Sequence, residues 1–332
     1  MSGKLVCFGE MLVRLSAPQG EMLLQTPQLA VHIGGAEANV AICVSRLGGN
    51  AAMATVLPGN PLGHAARDEL RRHGVDVAAV RFTRGRMGLY FLTPGAVLRP
   101  SEIVYDRAGS AFAEKADAIV WATALAGAGM LHVSGITPAV SATGSDAALA
   151  AIGAANAANI PVSFDGNYRA KLWGARKETG APILRKLLES ATLAFIDERD
   201  IALVLGATFA DRNAAAAAAF KAFPKLQRIA ATTRTTHAVD AFSLGATLHH
   251  RNGELTQAHP LELGNVVDRI GGGDAFAGGL LHGLMKNWPA EEALNFALHT
   301  AAAKHGQIGD ASHASETQIR ALMSDGGKDV KR

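Results

Sequence analysis

The run Val266-Val267-Asp268-Arg269-Ile270-Gly271-Gly272-Gly273-Asp274-Ala275-Phe276-Ala277-Gly278-Gly279 holds the residues best suited to chemistry. Three consecutive glycines open a stretch that reads as a helix through Leu284, so their backbone amides lie bare at the positive end of the helix dipole. That is an anion hole. Asp274 follows directly, and a carboxylate there would repel a phosphate rather than bind it. Its better role is a general base that takes a proton from an attacking hydroxyl, while Gly271, Gly272 and Gly273 stabilise charge on a transferred phosphoryl group. The same residues also suit a tight loop with Asp274 as the helix N-cap, and the spacing alone leaves both readings open. Two other nucleotide motifs fit poorly: Gly-x-Gly-x-x-Gly fails at Phe276, and no Gly-x-x-x-x-Gly-Lys-Ser/Thr occurs. The 12 histidines show no zinc-type spacing, and His249, His250 and His259 read as loop or strand-surface residues.

The elements that must position these groups recur along the chain. Short apolar runs at Leu5 to Phe8, Ala52 to Leu57, Met130 to Val133, Ile160 to Phe164, Leu193 to Ile196 and Arg228 to Thr232 alternate with helical stretches. This alternation predicts a mostly parallel sheet covered by helices on both faces. Glu37 to Leu47 has helical spacing before a Gly48-Gly49 stop, and the six alanines from Ala214 to Ala219 are strongly helix-forming. Two segments, about 11–33 and 81–110, break the rhythm with alternating strand-like patterns such as Gly88 to Thr93 and Glu102 to Tyr105. They are expected to form a small β-layer over one end of the main sheet.

Composition narrows the function classes. The chain has 332 residues, 48% apolar and 18% charged, enough for a large core in one or two domains. A net charge of +3 without a dense basic block gives no sign of a nucleic-acid or membrane-surface role. Two cysteines, Cys7 and Cys43, are too few for a disulfide framework and fit a reducing compartment, with the cytoplasm as the expectation. The N-terminus lacks the apolar core of a signal peptide and reads as a first strand. Ala118 to Ser145 carries no charged side chain and is long enough to span a bilayer, yet Gly127, Gly129, Gly135 and Pro138 punctuate it as soluble structure. Ser324 to Arg332 is a polar tail expected to fray.

The segment Val267 to Gly279 resembles the C-terminal signature of the ribokinase-like, phosphofructokinase B type sugar kinases. A second signature stands at Gly34-Gly35-Ala36-Glu37-Ala38-Asn39-Val40-Ala41, followed by Leu47-Gly48-Gly49 and Gly59-Asn60-Pro61-Leu62-Gly63. The resemblance runs over nearly the whole chain in the right order. Tyr105-Asp106-Arg107-Ala108-Gly109-Ser110-Ala111, Phe164-Asp165-Gly166-Asn167-Tyr168-Arg169 with Leu172-Trp173, and Lys304-His305 with Gly309-Asp310 are similar to the 2-keto-3-deoxygluconate kinase subgroup.

The resemblance implies a single α/β domain over 1–332, a three-layer α/β/α sandwich with the two β segments as a lid, and ATP-dependent phosphorylation of a sugar acid. By the same resemblance Gly34, Gly35, Tyr90, Tyr105, Arg107, Arg169 and Asp310 line the sugar-acid site together with Asp274, Asn39 adds a polar contact, and Asn167, Thr233 and Arg234 fall on the ATP side. Arg107 and Arg169 offer planar forks for a carboxylate, although lone arginines and strand tyrosines also occur as ordinary surface and packing residues. Magnesium is expected at Asp197 and Asp200, directly or through water, where the family's Asn-x-x-Glu reads Asp197-Glu198-Arg199-Asp200. The same quartet also suits capping acids at a helix start. A monovalent cation such as K+ near Asp268, and a homodimer through the lid with Leu89, Phe91 and Val104 in the contact, are further implications. One departure stands out: the family's Gly-x-x-Gly nucleotide loop is replaced by Thr232-Thr233-Arg234-Thr235-Thr236-His237. A fructose- or ribose-type kinase and a catalytically weak sugar-acid or nucleotide binder remain the alternatives.

Overall fold

The computed structural model describes residues 3–325. Strands β1 (Lys4–Phe8), β2 (Leu12–Ser16), β3 (Ala30–Gly34), β4 (Ala51–Pro58), β5 (Val80–Thr83), β6 (Gly88–Thr93), β7 (Glu102–Asp106), β8 (Ala128–Ser134), β9 (Val162–Asp165), β10 (Ala191–Phe195), β11 (Arg228–Ala238), β12 (Ala241–His250) and β13 (Leu255–Leu263) form two sheets. The larger runs β13-β12-β11-β10-β9-β8-β1-β4-β5. It is parallel from β11 to β5, and β12 and β13 add an antiparallel edge. Central strands such as β4 are buried at every residue, which is why they read as continuous apolar runs rather than alternating ones.

Helices cover both faces and divide the core in two. One half packs the Ala36–Arg46, Gly272–Met285 and Ala290–His305 helices against the sheet; the other holds Ala142–Ala157, Lys177–Ser190 and the polyalanine helix Arg212–Ala222. Gly278 and Gly279 let the Gly272–Met285 helix press against Cys43 and Ala297 of its neighbours; a Cβ at either position would come within about 2.9 Å of them. No helix among the described residues is long and apolar enough to cross a membrane.

The smaller sheet runs β3-β2-β6-β7, drawn from both segments that break the α/β rhythm. Within the second of these, Val80–Thr83 does not join it: these residues pair in parallel with Thr55–Pro58 as the last strand of the main sheet. The sequence expectation for His249 also needs correcting. It is 7% exposed on β12, on the face opposite Leu248, where it stands across from Ile229 and beside the start of the Arg212–Ala222 helix. The fraying expected for the C-terminal tail falls mostly on residues 326–332, outside the described residues, while Ser324 lies within the Glu316–Asp325 helix.

Candidate active site

The glycine loop is built by backbone geometry. Gly271 takes the left-handed conformation (φ 78°) as N-cap of the Gly272–Met285 helix, and a Cβ there would overlap the carbonyl of Asp310. Asp268 ties the loop down: its carboxylate accepts from the amides of Ile270 (2.9 Å) and Gly309 (3.1 Å). Asp274 therefore sits three residues beyond the cap and is not itself the cap, since no side chain caps this helix. Its Oδ2 accepts instead from Asn39 Nδ2 at 2.6 Å, and Asn39, far from being an ordinary exposed helix residue, is buried. Burial pushes the Asp274 carboxyl up to about 7; the Asn39 bond opposes this and the charges of Glu37 and Asp310 add to it. An acid titrating near neutrality beside bare helix amides has the right proton affinity for a general base.

A cavity of about 790 Å³ opens beside Asp274, at the carboxyl ends of β9, β10 and β11. Asp165, Asp197, Asp200, Arg169, Thr233, Arg234 and Gly273 line it. Burial and the charges of Asp274 and Asp200 push Asp165 up to about 8, and burial pushes Asp200 up to about 6. Asp197 behaves differently: although burial opposes it, Arg199 and two backbone amides hold its carboxyl below the usual range. The quartet is a reciprocal capping box, with Asp197 accepting from the amides of Arg199 and Asp200 and Asp200 accepting from the amide of Asp197. Capping and cavity lining thus coexist in the same two side chains.

On the other side of Asp274 lies a buried charge network. Arg107 is 6% exposed and donates to Glu10 Oε2 from Nε (2.7 Å) and Nη2 (2.6 Å), and its Nη1 is buried without a partner. It is not a solvated surface arginine. Its guanidinium also lies 5.6 Å from the Tyr105 ring, and Tyr105 stands opposite Tyr90 in the β6–β7 register. Asp310 is held by Arg14 Nη1 at 3.0 Å and by the Tyr90 hydroxyl, and Arg14 also meets Asp268 at 2.7 Å. Gly34 ends β3 against the Asp310 carboxylate, and Gly35 packs on the Glu10 carbonyl. Arg169 is separate from this network: it is exposed, donates to the Tyr168 carbonyl, and faces Asp165, Asp200 and Asp274 electrostatically.

On the expected ATP side, Thr232 to His237 is not a loop. The β-branched threonines continue β11, and Thr233 and Arg234 pair with Gly245 and Leu244 of β12. Asn167 takes a positive φ of 35°, its amide donating to Asp165 Oδ1 and its own Oδ1 buried without a partner.

Several contributing residues escape a sequence reading. Arg14 is one basic residue within an apolar strand, and Glu10 reads only as a charge after β1; Lys304, noted in the sequence, is completely buried with its ammonium on the Gln307 carbonyl. Glu37 had a signal in the Gly34-Gly35-Ala36-Glu37 run: its Oε1 accepts from Ser134 and Thr137, both at 2.6 Å, with Oε2 unpartnered.

Comparison with known proteins places the chain in a family. Residues 2–318 match the model of the pfkB family carbohydrate kinases. The chain is 32% identical over 332 residues to a 2-dehydro-3-deoxygalactonokinase of Haloferax volcanii, covering 100% of both chains. The crystal structure of 2-dehydro-3-deoxygluconokinase from Thermotoga maritima superposes with a TM-score of 0.91 at 35% identity, covering 97% of this chain and 99% of that one. A PfkB family carbohydrate kinase from Listeria grayi gives a TM-score of 0.92 at 35% identity, covering 97% and 100%. With its ribokinase-like α/β architecture and glycine-loop aspartate, the chain belongs to the pfkB family of carbohydrate kinases.

Proposed function

We propose that this sugar kinase transfers the γ-phosphoryl group of ATP to a hydroxyl of a 2-keto-3-deoxy sugar acid, with 2-keto-3-deoxygluconate and its 6-phosphate as substrate and product. The observation that carries the mechanism is Asp274, raised to about 7 by burial one residue after the Gly271–Gly273 amides. Its carboxylate takes the hydroxyl proton as the oxygen attacks the γ-phosphorus. The glycine amides receive the charge on the phosphoryl oxygens, and the bond to the β-phosphate oxygen breaks in line.

The acidic character of the sugar is supported by Arg107, whose buried Nη1 has no hydrogen-bond partner among the described residues. Glu10 fixes the guanidinium so that one nitrogen stays free for a ligand oxygen. Arg169, exposed above the cluster of acids, is the second candidate for the sugar carboxylate. Asp165 and Asp200 fit a magnesium ion: both are hard oxygen donors in the cavity, and burial with the neighbouring carboxylates pushes both up in spite of Arg169. Such an ion supplies charge neutralisation of the phosphates. Asp197, already held by Arg199, would join it only through water.

The smaller sheet serves as a lid that excludes water as a competing acceptor. Its exposed Val31 and Val104 support a homodimer through this sheet, with Leu89 and Phe91 half-buried beside them. Sedimentation as a monomer at micromolar concentration would count against that contact. The buried, unpaired Cys7 and Cys43 support a cytoplasmic setting.

ADP formation with ATP and magnesium across 2-keto-3-deoxygluconate, 2-keto-3-deoxygalactonate, fructose, ribose and adenosine tests the reading. We expect the two keto-deoxy acids to lead by at least about tenfold in kcat/KM, the scale set by one charge-assisted contact. Preference for a neutral sugar overturns the role of Arg107 and leaves that of Asp274.

A further inference from the structure

We propose that Arg234 and Arg269 form a paired-guanidinium site for the polyphosphate of the nucleotide, held in position by Phe242; this rests on the kinase reading above. Arg234 lines the same cavity as Gly273, and Arg269 stands two residues before Gly271. Their guanidinium carbons lie 4.6 Å and 5.0 Å from the centre of one ring, that of Phe242, which is completely buried at the start of β12. Two cations therefore share one aromatic support.

Neither has an acidic partner among the described residues. Among the described residues, the side chain of Arg269 makes one hydrogen bond, a long 3.5 Å contact from Nη2 to the Ala238 carbonyl, and its Nε is buried with no partner. The buried Arg14 and Arg107, by contrast, each meet carboxylates within 3.0 Å. Arg234 is exposed at the cavity, yet partial desolvation and then the charge of Arg269 both act against its positive form. A pair of like charges, fixed by packing and left without a counter-ion, is relieved by an anion that bridges them.

The location favours phosphates over the sugar carboxylate. Phe242 packs at 5.1 Å against the His305 ring, which burial holds uncharged by lowering its pKa to about 4. That ring lies directly under Gly272, where an added Cβ would come within 2.5 Å of it. Phe242 and His305 thus tie the guanidinium pair to the backbone of the anion hole. A phosphate chain reaching Gly271–Gly273 from the cavity passes the pair, whereas the sugar carboxylate already has the free nitrogen of Arg107. The atypical Thr232–His237 strand acquires a function in this way: it presents a cation where a glycine loop would present amides.

The test is calorimetric titration of the full chain with ADP, and separately with adenosine, in the absence of any sugar. Arg269→Gln and Arg234→Gln should each weaken ADP binding about tenfold or more, with Arg269→Lys retaining most of it. The ADP affinity of the unaltered protein should fall with added salt more steeply than that of either variant. Adenosine, which lacks phosphates, should bind all forms alike. Unchanged ADP affinity in both variants overturns the proposal while leaving the kinase reading intact. Equal loss of ADP and adenosine also overturns it, by assigning the arginines a structural role. Failure of the unaltered protein to bind ADP overturns the kinase reading together with the proposal.

Discussion

Replacing Asp274 by Asn should separate catalysis from folding in opposite directions. The substitution keeps the shape and removes the proton acceptor, and general-base assistance is worth about 10²–10⁴ in rate, or roughly 3–5 kcal/mol of barrier. Turnover should fall by that factor while nucleotide affinity stays within about twofold, because the Gly271–Gly273 amides are untouched. Stability should move the other way. A carboxyl raised from 3.8 to about 7 by burial is held more tightly protonated in the folded chain than in the unfolded one. Its contribution is thus fully present below the unfolded value near 3.8 and is lost as pH rises through about 7. The displacement corresponds to roughly 4 kcal/mol at most, so the neutral amide should be the more stable side chain at pH 8. We expect thermal unfolding of the variant a few degrees above the unaltered protein at pH 8, with a gain of less than half that size at pH 5, because the difference grows between about 3.8 and 7. In the unaltered enzyme, kcat/KM should rise about tenfold per pH unit towards a plateau above about 7, the pH at which Asp274 ionises. Near-normal turnover, or a lower melting temperature at pH 8, would refute the assignment.

Three other perturbations follow from the same geometry. Asn39→Ala removes the 2.6 Å bond that favours ionised Asp274, so the midpoint of the pH–rate curve should move up by about one unit, the equivalent of ~1.5 kcal/mol. A midpoint that stays in place would uncouple the two residues. Arg107→Ala should raise KM for an acidic sugar by about tenfold or more and change a neutral sugar little; it should also destabilise the fold by about 3 kcal/mol, because the buried Glu10 loses its cation and keeps only the Ser110 hydroxyl. Chemical denaturation and acid-against-neutral substrate kinetics check the two halves independently. Gly271→Ala should cost about 2–3 kcal/mol, since it demands a positive φ and meets the Asp310 carbonyl; an unfolding midpoint equal to the parent would show that the loop is slack.

Much of this protein was legible in its residues. Apolar runs of strand length separated by helical spacing predict a parallel sheet, because strands buried on both faces have no polar side to show. All six runs read in this way are strands of the main sheet. The glycine triplet before Asp274 signals an anion hole for a similarly local reason, since helix amides at a first turn are unsatisfied whatever the rest of the chain does. Where local signals compete, the sequence is ambiguous. Val80–Thr83 alternates like an exposed edge strand, but only the vacancy beside β4 decides that it joins the main sheet. Thr232 to His237 could be loop or strand until β12 pairs with it.

Charge partnerships were settled by tertiary structure alone. Glu10 and Arg107 are 97 positions apart, Asn39 and Asp274 are 235 apart, and Arg14 and Asp310 are 296 apart. No periodicity links residues so distant, so each reads singly as an ordinary polar side chain. Folding buries them, and burial makes an unpaired charge costly, which is what turns these separate residues into a network. The proton affinity of Asp274 arises in the same way. Its identity and place after the glycines belong to the sequence; the low-dielectric surroundings and neighbouring carboxylates that raise it to about 7 exist only once the helices and sheet have closed around it.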